Sequence, residues 1–184
     1  MELPLERAPT RGQPSPAVVV LGLGNPVLRD DAVGLEVANE VERLLGAHPL
    51  PGVRVLRSAR AGFELIDLLA GSSHAVIVDC LEALDTVPGT VRRLTLRNFA
   101  GSARLVGPHE ISIADAFDLA RRLNIDMPRK VELLAVEGGD THTLGEEMTP
   151  EVAAAVQPLA RAVVRTVRGW VRGTPGASGK ASKQ

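Results

Sequence analysis

The run Ala17-Val18-Val19-Val20-Leu21-Gly22-Leu23-Gly24-Asn25-Pro26, leading into Asp30-Asp31-Ala32-Val33-Gly34, decides the fold. Ala17 to Leu21 is apolar at every position, which marks a strand buried on both faces. Gly22 to Pro26 break it. Beyond the break, Val33, Val37, Val41, Leu44 and Leu45 recur at helical spacing, with Glu36, Glu40, Glu42 and Arg43 left to face water. Asp30 stands where an N-cap belongs. A strand fed by a glycine turn into an amphipathic helix is the first half of a βαβ unit.

Working outward, the pattern repeats. Gly52 to Leu56 reads as a second strand, Phe63 to Leu69 as a short helix, and Ala75 to Asp79 as a third strand. The turn Pro88-Gly89 introduces a strand over Thr90 to Leu96. Its short connection allows an antiparallel hairpin or an edge position. Ser112 to Leu123 reads as a helix with Ser112 and Asp115 resembling a capping box, and Val131 to Val136 as a strand. Thr149-Pro150-Glu151 opens the last helix as cap, first-turn proline and first-turn acid. The expected fold is α/β, a three-layer sandwich with a mostly parallel sheet and helices on both faces. Residues 17–172 form its single domain, 1–16 a flexible lead-in and 173–184 a disordered tail rich in Gly, Ser and Lys.

Composition narrows the function. The 184 residues are 45% hydrophobic and 23% charged, ordinary for a globular domain. Lys plus Arg number 21 and Asp plus Glu 22, so the basic excess of a general nucleic-acid binder is missing. There is no Tyr and aromatics make up 2%, which leaves little for base stacking. The lone Cys80 fits a reducing compartment. Neither a signal peptide nor a membrane-spanning run is evident, so a cytoplasmic location is expected, with no membrane or nucleic-acid partner.

In a doubly covered parallel sheet, sites form beyond the carboxyl ends of the strands. The residues with chemistry at those ends are Asp31, Asp79 and His109. Two carboxylates and an imidazole suit either a divalent transition metal or acid–base work. Asp79 is the most telling, because a carboxylate ending an apolar strand is costly to bury unless paired or bound. Asp31 also has a plain reading as a charge favoured by the helix dipole. Asp30 reads as a helix cap, and His48, His74 and His142 as loop or surface histidines. Gly22 and Gly24 lack the third glycine of a dinucleotide fingerprint, where Val27 stands, and serve a tight turn instead. Cys80 follows Asp79 directly, so strand alternation turns it to the opposite face and argues against a nucleophile. No Gly-x-Ser-x-Gly elbow is present.

Taken in order, four blocks resemble one family. They are Gly22 to Pro26 with Asp30 to Gly34, Val76 to Asp79 with Pro88 to Val91, Pro108-His109-Glu110 with Ile113 to Asp115, and Met148 to Glu151. Together they are similar to the hydrogenase maturation proteases, which remove a C-terminal extension from the nickel–iron hydrogenase large subunit. The resemblance implies an endopeptidase whose Asp31, Asp79 and His109 sense nickel. That nickel is carried in by the precursor and is not a permanent cofactor. Gly24 and Asn25 shape the adjoining substrate loop. Two departures stand out. Ala32 replaces a common glycine, and Arg57-Ser58-Ala59-Arg60 replaces a glycine-rich acidic turn, which suggests that Arg57 and Arg60 meet an acidic partner surface. The alternatives are a non-catalytic assembly or metal-sensing factor, and a peptidyl-tRNA-hydrolase-like enzyme. The latter shares Gly-x-x-Asn-Pro but needs a histidine soon after, and Val27 to Leu45 has none.

Overall fold

The computed structural model describes residues 17–59, 62–82, 86–96 and 113–173. The lead-in 1–16, Arg60, His109, Ser112 and the tail 174–184 lie outside them. Five strands are present: β1 (Val18–Leu23), β2 (Val53–Ser58), β3 (His74–Glu82), β4 (Val91–Leu94) and β5 (Lys130–Gly138). The described helices are α1 (Val33–Gly46), α2 (Glu64–Leu69), α3 (Ile113–Arg122) and α4 (Pro150–Gly173), with a 3₁₀ turn, Asp30–Ala32, ahead of α1. The expected elements are all there, lengthened or trimmed at their ends. α4 runs through Pro158, an exposed position where water can serve the carbonyl left without its helical partner.

The sheet order is β2-β1-β3-β5-β4. β2, β1, β3 and β5 are parallel, and β4 pairs antiparallel with β5. β4 is therefore an edge strand, and it pairs with a later strand and not with its predecessor as a hairpin would. Its side chains are largely exposed, which an edge tolerates.

Strand alternation builds two cores. Val18, Val20, Val76, Val78 and Cys80 face α1 and α4. Val19, Leu21, Ala75 and Ile77 face α2 and α3. All six residues of β1 are buried, as its unbroken apolar run requires. With α1 and α2 on opposite faces, the chain leaves β1 to one side and returns to β3 on the other. The order reverses between β1 and β3, and that switch point opens a crevice at their carboxyl ends.

Candidate active site

Asp31 and Asp79 flank this crevice. Gly24 and Asn25, leaving β1, hold the first of them. The Asn25 backbone N–H donates to Asp31 Oδ2 at 2.9 Å, and Asn25 Oδ1 accepts from the Val27 N–H at 3.2 Å. Gly24 has φ of 147°, open to glycine, and a Cβ there would collide with the Asp31 carbonyl oxygen. The turn thus fixes Asp31 through both backbone and side chain.

Asp79 lies near the end of β3, beside Ala135 of β5. Its Oδ1 accepts the Cys80 N–H at 2.8 Å. Burial pushes its carboxyl up to about 7, and the nearby Asp31 charge adds to the rise, while the Cys80 N–H opposes it. The Asp31 charge thus adds to burial in disfavouring ionisation of Asp79. Oxygen donors of this kind suit a divalent metal. Among the described residues no group of three His, Cys, Asp and Glu side chains could hold a metal ion. The third member of the expected set, His109, lies outside the described residues.

Cys80 is buried on the α1–α4 face, as strand alternation predicts. Burial pushes its thiol far above its ordinary range, and the charges of Asp31, Asp79, Asp30 and Glu137 raise it further. A thiol so surrounded does not form a nucleophilic thiolate near neutral pH.

Asp30 does not cap its own helix. No side-chain capping bond is made at the start of the 3₁₀ turn or of α1. Its carboxylate is fully buried and accepts four bonds from distant chain: Gly139 N–H and Asp140 N–H at 2.8 Å, Thr149 N–H at 2.6 Å and Thr149 Oγ1–H at 2.9 Å. It clamps both ends of the loop between β5 and α4 against the start of α1. Arg29 reinforces the clamp, pairing with Asp140 at 3.0 Å and donating to the Glu147 carbonyl at 2.9 Å. Another carboxylate at this pole, Glu137, is buried and paired with Arg92. Neither role was legible, because each depends on partners far along the chain.

Arg57 has partners within the fold that its loop reading did not include. Its guanidinium pairs with Glu42 and donates to Asn39, both on α1. It fastens β2 to that helix. His48 and His142 lie in loops as expected, His48 exposed and His142 paired with Glu82 at 3.2 Å. His74 departs from that reading: it opens β3, is half-buried and sets its ring tilted against Trp170, 5.0 Å between centroids.

A doubly wound sheet with two interacting carboxylates at its switch point is the frame of a small α/β enzyme. Residues 35–166 match the family described as hydrogenase maturation protease. The hydrogenase 2 maturation protease of Escherichia coli K12 is 32% identical over 157 residues, covering 82% of this chain and 90% of that protein. The hydrogenase expression/formation protein HupM of Azotobacter chroococcum is 29% identical over 171 residues, covering 88% and 77%. The solved hydrogenase maturating endopeptidase HybD of E. coli superposes with a TM-score of 0.69 at 27% identity, covering 83% of this chain and 92% of that one. The chain belongs to the hydrogenase maturation protease family and is a peptidase.

Proposed function

We propose that this peptidase removes the C-terminal extension of a hydrogenase large-subunit precursor once nickel is in place, and that Asp31, Asp79 and His109 read that nickel. The observation that carries the reading is the nearness of Asp31 to the buried Asp79 at the switch point, where the Asp31 charge makes that of Asp79 harder to hold. A cation arriving with the substrate relieves that repulsion, so the site discriminates a metal-loaded precursor from an empty one by charge. Asp79 gives up its proton as the cation takes its place. Gly24 and Asn25 keep the Asp31 carboxylate aimed before the substrate arrives, which lowers the cost of binding.

The surroundings suit a polypeptide. Val27, Phe63, Val87 and Leu144 lie in the loops that follow β1, β2, β3 and β5, and each is more than half exposed. Large apolar side chains displayed around an acidic centre fit a segment of chain laid across it. No described helix is long and apolar enough to cross a membrane. The single cysteine fits action in the reducing cytoplasm.

The test is cleavage of nickel-loaded and nickel-free precursor by wild type and by Asp31→Ala, Asp79→Ala and His109→Ala. Wild type should cut only the loaded form. Each variant should lose about a hundredfold or more in rate. Equal cutting of both forms, or full activity in the Asp79 variant, would overturn the reading.

A further inference from the structure

α4 has an unusual solvent face. Arg161, Arg165, Arg168 and Arg172 follow one another at helical spacing of four, three and four residues. At 3.6 residues per turn they fall within an arc of about 60°. Arg161, Arg165 and Arg172 are exposed and Arg168 is half-buried. After Glu151 the helix contains no acidic residue at all. Surface helices commonly interleave opposite charges three or four residues apart, and this one does not. Arg161 reaches Gln157 at 3.5 Å and lies close enough to Glu40 to help lower its carboxyl, after the larger effect of Arg43. Among the described residues, Arg165, Arg168 and Arg172 have no ion-pair partner. Arg168 and Arg172 also line a depression of about 300 Å³, with His48 and Leu50 on its far side.

The stripe has a direction. α4 begins at Pro150, directly after Thr149, which Asp30 ties to the site. At 1.5 Å per residue, Arg161 stands about 16 Å from that start and Arg172 about 33 Å. The charges form a rail leading away from the crevice along one side of the molecule, and the chain as a whole is near neutral at −1. The rail is therefore a local feature and not an overflow of a basic protein.

We propose that this arginine stripe docks an acidic segment of the protein substrate, about three helical turns long, while the substrate's C-terminus reaches the Asp31–Asp79 crevice. This rests on the reading of the chain as a peptidase acting on a folded precursor. The occupant follows from chemistry. Guanidiniums in a row match carboxylates in a row, each pair forming a planar two-point contact. A membrane-surface helix needs an exposed apolar face, and α4 has no large apolar side chain exposed. Nucleic-acid binding draws on broad basic excess, which this chain lacks. Docking remote from the cleaved bond also lets the enzyme choose its client by a surface that does no chemistry.

The experiment uses the full-length protein and the hydrogenase large-subunit precursor of the same organism. Precursor binding is measured at low and high salt for wild type, R165E/R172E, the charge-keeping R165K/R172K, and R122E, an exposed arginine on α3. Wild-type affinity should fall with salt. R165E/R172E should bind about tenfold more weakly and lose most of the salt dependence, while R122E matches wild type. In cleavage of the nickel-loaded precursor, R165E/R172E should raise KM and leave kcat unchanged. If thermal melts show that R165E/R172E does not fold, R165Q/R172Q replaces it. Equal binding by wild type and the reversed variant, or an equal loss in R122E, overturns the proposal. So does tighter arginine-dependent binding to duplex DNA or phosphatidylserine vesicles than to the precursor. Binding through the stripe without any cleavage by wild type would count against the proposed function and leave the docking rail standing.

Discussion

Asp79 is held in a state that the rest of the chain would not choose. An exposed aspartate loses its proton near 3.8, whereas burial and Asp31 keep this one protonated up to about 7. Between those values the folded chain binds a proton that the unfolded chain has released. Stability must therefore fall as pH rises from about 4 to about 7. Asp79→Asn keeps the shape and discards the titration. It should be close to neutral near pH 4 and stabilising at pH 8 by about 2–4 kcal/mol. Urea midpoints across this range check it, and a variant no more stable than wild type at pH 8 would refute the burial and repulsion assigned to Asp79. That an acid at the end of an apolar strand must have a partner or a purpose could be read from the sequence. The difference between Asp30 and Asp31 could not. Both occupy the same local pattern, and only bonds to Gly139, Asp140 and Thr149, more than a hundred residues on, make Asp30 a clamp. Arg57 shows the same limit: its partners Asn39 and Glu42 sit on a neighbouring helix that no local window includes.

At the scale of elements, the site depends on how closely α1 approaches the sheet. Gly34 makes that approach possible. A Cβ there would lie 2.6 Å from the Val78 carbonyl oxygen and closer still to that of Leu23. Gly22 faces it, with no room for a Cβ against Gly34 and Ala38. These contacts are with backbone, which cannot swing aside, so Gly34→Ala must lift the start of α1 away from β1 and β3. It should cost about 2–3 kcal/mol and move Asp31, which lies just ahead of α1. Gly46, at the far end of the same helix, has nothing within 4 Å of its Cβ position. Gly46→Ala should be neutral or stabilising by up to about 0.5 kcal/mol. Thermal melts of the two variants separate close packing from helix propensity, and equal effects would refute the packing argument. Gly22 was legible as part of a tight turn, but its face-to-face pairing with Gly34 was not, because it joins a strand to a helix across the layer. β1, α1 and α4 were readable because their apolar patterns are long and unbroken. β4 was readable only as a strand, since nothing in four residues, three of them exposed, specifies β5 as its neighbour.

For the whole molecule, the question is whether two cores behave as one. The α1–α4 cluster and the α2–α3 cluster share no side chain, and only the sheet lies between them. β1 and β3 contribute to both by alternation, so a strand cannot leave one core and stay in the other. This predicts a single cooperative transition. The chain supplies its own reporter. Trp170, its only tryptophan, packs against the α1–α4 cluster beside His74 and Lys130. Ile77 is fully buried in the opposite cluster. Ile77→Val removes one methylene and should cost about 0.5–1.5 kcal/mol. If the sheet couples the faces, Trp170 fluorescence and far-ultraviolet circular dichroism should report the same lowered urea midpoint. A Trp170 transition that stayed at its wild-type midpoint while the dichroism moved would mean that the α1–α4 side unfolds as a unit of its own. The crevice, built from both β1 and β3, would then be only as stable as the weaker face.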